Sequence, residues 1–343
     1  MVKVSTPGKI YLVGEHAVVY GEPAIIAAIG KRCYVEARKN EKVIITSQEL
    51  NKSSSFTVDE VVSFTNDMTD LWDKCYNQKD FSELFSEIKK DPLNYAKIAV
   101  GKTLSRIEVK SGVSLSIKSD IPVGAGVGSG AALTVTVVKA VSELYRKKLS
   151  YEEVNEIAFE IEKLGHGTPS GGDNSTCCYG GLVWFQKKDP KNTIISLKKD
   201  IPYKLENFVL VYTKRPEKTT GELVQLVREL EEYYRNKRVK KIGMLACEML
   251  AVLKNRNSSR MKEIINETQK NLAELGVSTP EIDELVSAVK KNGGGAKLCG
   301  AGGGGVVLCY HEDNKKLIKT IKDLGYNPIE TELGVDGVRI ELS

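Results

Sequence analysis

The sequence predicts a mixed α/β (α+β) chain of two domains, and three observations predict it. At 343 residues and 37.8 kDa the chain can bury more than one core. Its first half mixes strand and helix patterns, with an alternating strand running straight into a glycine-rich turn that opens a helix. Beyond about residue 215 it is mostly helical, and it closes on a second glycine-rich turn followed by strand, helix and strand. The domains are expected to be 1–190 and 191–343.

In chain order, 10–13 and 31–38 have strand character. Residues 113–119 (VSLSIKS) alternate apolar and polar, the pattern of a half-buried strand. The turn that follows opens a helix over 131–148, with Leu133, Val137, Val138, Val141, Leu144 and Tyr145 on one side. Ser150 and Glu153 form a capping box for a helix reaching about Leu164. Residues 182–186 and 208–212 are strands. Thr279 and Pro280 read as an N-cap and first helical position, with Gly293 closing that helix. Strand 306–310, a helix near 314–324 and strand 338–342 end the chain.

Composition narrows the function. The net charge is only +5, from 50 basic and 45 acidic residues. That suits a small anionic substrate, whereas nucleic-acid binding requires a concentrated basic patch. The densest basic run, 235–241 (RNKRVKK), is expected at the end of a helix, complementing its dipole. No stretch approaches ~18 apolar residues, so no membrane span is expected, and the first residues lack the pattern of a secretory leader. The seven cysteines are odd in number and include no C-x-x-C pair, which predicts reduced thiols in a cytoplasmic protein, with Cys177 and Cys178 as small buried residues. Only His16, His166 and His311 occur, none at zinc-ligand spacing with cysteine.

The most informative feature is glycine placement. Three glycine-punctuated segments lie far apart: 7–21, 122–132 (PVGAGVGSGAA) and 297–307 (KLCGAGGGGVV). Glycine admits positive φ and close backbone approach. Successive N–H groups can then cradle phosphate oxygens, and a helix opened by such a loop adds its positive dipole end. Together the segments predict a chain folded around a phosphorylated ligand.

These segments resemble those of the GHMP kinases, named for galactokinase, homoserine kinase, mevalonate kinase and phosphomevalonate kinase. The resemblance runs over essentially the whole length. It rests on 7–24 (PGKIYLVGEHAVVYGEPA), the second and third glycine segments, and the loop 166–174 (HGTPSGGDN), where Gly172 stands in place of a common apolar residue. It implies an N-terminal α/β domain with the phosphate loop, a C-terminal ferredoxin-like domain, and an active site in the cleft between them. It also implies ATP-dependent phosphorylation of a small hydroxy acid or sugar, with magnesium as cofactor and a homodimer as assembly. The form of 7–24 is that of the branch acting on mevalonate, while the arginine-containing start of the galactokinases is absent. A ligand sensor descended from such a kinase is the alternative outside catalysis; retention of Lys9, Glu162 and Asp173 argues against it.

The same resemblance assigns roles. Pro122, Gly124, Ala125, Gly126, Gly128, Ser129, Gly130 and Ala131 would wrap the ATP phosphates. Asp173 would be the general base, or else a turn aspartate, and Lys9 its cationic neighbour. Glu162, eleven residues earlier, would bind magnesium, with Ser129 as a further oxygen ligand. Glu15, His16, Gly167, Ser170, Thr220 and Gly302 would contact substrate. Lys218 takes a position where the family has arginine, and a point charge loses bidentate carboxylate geometry. The family's second loop serine, which helps bind magnesium, is replaced by Gly130. Ser129 or water would take its place, or Gly130 would be required for positive φ.

Overall fold

The computed structural model describes residues 1–122 and 126–342. The N-terminal half is organised by one long strand. β1 (Val2–Val13) and β2 (Pro23–Asn40) pair antiparallel, and the stretch Ala24–Ile29 of β2 is wholly buried. Its 18 residues far exceed a typical strand of about 5–6. That length lets β2 also carry β6 (Leu182–Gln186) near its start, β5 (Gly112–Ser119) near its end and, at Ile29 between them, the C-terminal half. β3 (Val43–Ser47) pairs parallel with β5, and β4 (Lys52–Phe56) forms the edge beyond it. In β5, Val113, Leu115 and Ile117 are buried, as the alternation requires.

Three helices, α1 (Val58–Gln78), α2 (Ser82–Lys89) and α3 (Asn94–Arg106), cover a region in which the sequence pattern marks no element. The buried stripe of α1 is Val61, Thr65, Met68 and Cys75. Its helical spacing is partly disguised because threonine and cysteine occupy core positions. α4 (Ser129–Leu144) differs from its expected one-sided face: Ala132, Val135, Val137, Val138, Ala140 and Val141 are all fully buried. A helix enclosed on nearly every side has no polar face to reveal its orientation. It packs against β1, β2, α3 and α5 (Tyr151–His166), whose Ser150–Glu153 capping box is present. α6 (Gly172–Tyr179) follows and buries Cys177 and Cys178.

The C-terminal half is an antiparallel sheet in the order β11–β8–β10–β9: Pro328–Leu333, Leu205–Tyr212, Val306–Tyr310 and Gly295–Leu298. Its helices are α7 (Thr220–Glu229), α8 (Glu232–Lys254), α9 (Ser258–Glu274), α10 (Pro280–Lys291) and α11 (Asn314–Asp323). The basic run 235–241 opens α8 and does not end a helix, which corrects the expectation. Three of its five basic side chains bond to neighbouring helices instead. Arg238 and Lys241 pair with Glu274 and Glu267 of α9, while Arg235 Nη1 donates to the carbonyl of Arg228 in the last turn of α7.

Two elements cross the expected boundary at residue 190. β7 (Thr193–Ser196) pairs with β6, and the last strand, β12 (Arg339–Ile340), returns to pair with β1. Arg32 of β2 holds this returning segment through the carbonyls of Asp336 and Gly337. One continuous apolar cluster runs through both halves.

Candidate active site

A cleft of about 520 Å³ opens where the first two glycine segments meet the third. β1 contributes Lys9 and Tyr11, and the turn after it contributes Glu15 and His16. The start of α4 contributes Gly128, Ser129, Gly130 and Ala131. The end of α5 contributes Glu162 and His166, the next loop contributes Ser170, and the first turn of α6 contributes Asp173. Thr220, Gly300 and Ala301 close it from the C-terminal half. A second lobe of about 690 Å³ shares Gly126, Thr220, Gly300 and Ala301 with the first and adds Arg215, Lys218 and Gly302.

Lys9 is aimed by a break in strand register. The β1–β2 ladder shifts between Pro7 and Lys9, and a Cβ on Gly8 would stand 2.7 Å from the carbonyl of Val127. Glycine therefore lets β1 lie against the phosphate loop, and Lys9 N donates to that carbonyl at 2.9 Å. Gly128, at φ 77°, passes over the Lys9 stem so closely that a Cβ would stand 2.6 Å from it. The nearly buried ammonium then lies 2.8 Å from Asp173 Oδ2. Asp173 is in the first turn of α6, at the positive end of that helix.

Glu162 is 3% exposed and still faces the cleft. The Tyr95 hydroxyl donates to its Oε1, and His166 Nε2 lies 3.4 Å from its Oε2. Burial pushes the Glu162 carboxyl upward; His166 and the Tyr95 bond oppose this, Asp173 adds to it, and Lys9 opposes it. Among the described residues no group of three or more acidic, histidine or cysteine side chains is gathered to cage a metal. One buried carboxylate beside Ser129 is instead the kind of partial oxygen set that suits magnesium, which keeps waters and takes phosphate oxygens.

Gly130 settles one of the alternatives. It is the second residue of α4 and has no positive φ, so backbone strain does not require glycine there. A Cβ would lie 3.3 Å from Tyr95 Cε1, 3.9 Å from His166 Nε2 and 4.0 Å from Glu162 Oε1. The variant Gly130→Ser is therefore expected to fold, with a small shift of the tyrosine ring, and to place a hydroxyl beside Glu162. Its free-magnesium requirement for half-maximal activity should fall. Titration of activity against magnesium checks this, and an unchanged requirement would leave Ser129 as the hydroxyl in use.

The other expected substrate residues are placed unevenly. Glu15 lines the cleft, but its carboxylate is held by Lys297 of β9, and both side chains are essentially inaccessible. Lys297 also donates to the carbonyls of Tyr11 and Leu298 at 3.1 and 2.9 Å. Burial pushes the Glu15 carboxyl upward and Lys297 opposes that. His16 is strained at φ 57° and buried, with Nε2 bonding to the Ala301 carbonyl at 2.9 Å. Burial lowers its pKa and the Ala301 bond opposes this. These neighbours thus join the N-terminal half to the third glycine segment.

Ser170 and Thr220 line the cleft. Gly167 caps α5 against Phe81, its carbonyl accepting from Trp72 Nε1 at 2.8 Å, and does not line the cleft. Gly302 borders the second lobe, where a Cβ would stand 2.2 Å from the Val277 carbonyl. Pro122 precedes the loop outside the cleft lining. Gly124 and Ala125 lie outside the described residues. Tyr95, Tyr11 and Lys297 escaped the sequence reading. Lys297 carried one usable signal: a lysine in an otherwise apolar strand start beside a glycine segment.

The comparisons agree with this geometry. A family model described as GHMP kinases N terminal domain matches residues 94–181, and one described as GHMP kinases C terminal matches residues 249–327. The mevalonate kinase of Pyrococcus abyssi is 34% identical over 352 residues, covering 99% of this chain and 98% of that protein. That of Methanocaldococcus jannaschii is 32% identical over 303 residues, covering 87% and 88%. Among solved structures, the Methanococcus jannaschii mevalonate kinase superposes with a TM-score of 0.81 at 29% identity, over 97% of this chain and 98% of that one. The L. major mevalonate kinase in complex with R-mevalonate has the same fold, with a TM-score of 0.75 at 22% identity over 98% and 97%.

Proposed function

The chain belongs to the GHMP kinase family, and from that premise we propose that it transfers the γ-phosphoryl group of ATP to the primary hydroxyl of mevalonate, a step of the mevalonate pathway. The observation that carries the mechanism is the Lys9–Asp173 pair, set in the same cleft as the opening of α4. Phosphoryl transfer demands alignment and charge stabilisation more than covalent work from the protein.

Asp173 accepts the proton of the attacking hydroxyl as that oxygen approaches phosphorus. Lys9, paired with Asp173, stabilises charge on the transferring group. The first N–H groups of α4, from Ser129 onward, point their positive end at the phosphates. Glu162 and Ser129 would hold magnesium, which when bound supplies neutralisation of phosphate charge. Ser170 and Thr220 border the acceptor's space, and Arg215 and Lys218 put cationic side chains in the adjoining lobe. Among the described residues no helix is long and apolar enough to cross a membrane.

Incubation with ATP, magnesium and mevalonate should give a product whose phosphorus spectrum is that of the 5-phosphate. A 3-phosphate, or turnover confined to sugars in a substrate panel, would overturn the assignment.

A further inference from the structure

The ring of Tyr95 is wedged between two glycines on different helices. A Cβ at Gly165 of α5 would stand 2.6 Å from Tyr95 Cε2, and one at Gly130 of α4 would stand 3.3 Å from Cε1. Tyr95 itself comes from the first turn of α3. Thus residues 95, 130 and 165, on three helices, meet at one aromatic ring. Neither glycine has a positive φ, so backbone conformation does not require glycine at either position. Space for the ring requires it at Gly165, while at Gly130 the ring would have to give by only a few tenths of an ångström.

The ring's hydroxyl donates to Oε1 of Glu162, and no other group among the described residues bonds that oxygen. A carboxylate on a helix can rotate about its terminal torsions. Here one oxygen is fixed by Tyr95, and the other faces His166 on the cleft side. An outer group of this kind sets the orientation of a metal-binding carboxylate without touching the metal.

We propose that Tyr95 is a positioning residue for the magnesium site: wedged against Gly130 and Gly165, it holds the Glu162 carboxylate in the plane from which it faces the nucleotide. The tight glycine at 130 is then tied to the tyrosine, since a larger residue there presses on the ring. This proposal rests on the assignment of Glu162 as the metal carboxylate.

The test is Tyr95→Phe, which deletes the hydroxyl and keeps the ring. Binding of Mn²⁺ to the protein with a non-hydrolysable ATP analogue is followed by electron paramagnetic resonance for wild type, Tyr95→Phe and Glu162→Gln. Loss of an outer-shell partner costs ~10–100-fold in metal affinity. The Mn²⁺ dissociation constant of Tyr95→Phe should rise by about that factor, with metal-free binding of the analogue unchanged. If Glu162→Gln weakens Mn²⁺ and Tyr95→Phe does not, the positioning role is overturned while the metal assignment stands. If metal-free nucleotide binding falls as much as metal binding, Tyr95 is merely structural and the proposal is again overturned. If Glu162→Gln leaves Mn²⁺ affinity unchanged, the metal assignment fails and the proposal with it.

Discussion

Asp173→Asn is expected to lower kcat by ~10²–10⁴-fold, the usual cost of removing a positioned base, while the protein still folds and binds ATP. The amide keeps the shape of the side chain and can still accept from Lys9, 2.8 Å away in the native pair. It has no basic oxygen to take the hydroxyl proton. Lys9→Met should also reduce kcat more than it raises the KM for ATP, because the ammonium's principal partner in the reaction is charge that develops in the transition state. Steady-state kinetics with a coupled ADP assay measures both. A folded variant with near-native kcat would remove the corresponding residue from the mechanism.

Lys297→Met is expected to produce the largest loss of stability. Lys297 is 0% exposed and its partner Glu15 is 2% exposed, so the pair is sealed between the two halves. Removing one member of a buried ion pair leaves the other uncompensated and costs about 3–5 kcal/mol. Glu15 Oε2 already lacks a hydrogen-bond partner, so no second group stands ready to take over. The sign of the pH dependence follows from the burial-raised pKa of Glu15. Loss of Lys297 removes an interaction that lowers that pKa, moving it further above its unfolded value. The folded variant then binds a proton that the unfolded chain releases, so its deficit shrinks as pH falls and grows as pH rises. Denaturant unfolding at mildly acidic and mildly alkaline pH checks this. The double variant Lys297→Met/Glu15→Gln should recover part of the loss, because the orphaned charge is gone. Equal instability of the single variant at both pH values would show that Glu15 does not carry the deficit.

Much of the fold was legible because the signals are local. The capping box at Ser150 and Glu153, the N-cap at Thr279 before Pro280, and the alternation of β5 each satisfy or bury groups within a few residues of themselves. The strands Leu182–Gln186 and Val306–Tyr310 are short apolar runs bounded by glycine or by lysine and acidic residues, and they occupy the expected bounds. α1 was missed because threonine and cysteine occupy part of its buried stripe, and α4 was read as one-sided because enclosure on nearly all sides has no period.

By itself the sequence determined a phosphate-cradling set of glycines, recognisable because glycine turns and helix openings are local backbone devices; its family resemblance singled out Asp173, Lys9 and, eleven residues before Asp173, Glu162 as the proposed base, cation and metal carboxylate. Tertiary structure alone decided that Glu15, expected at the substrate, is paired with Lys297 across 282 positions, that Tyr95 reaches Glu162 across 67, and that the last strand returns to the first. Contacts across such separations leave no periodic trace in the chain. Their partners are chosen by which surfaces the packed helices and sheets bring together, and a buried charge or hydroxyl acquires its role only once that packing has excluded water.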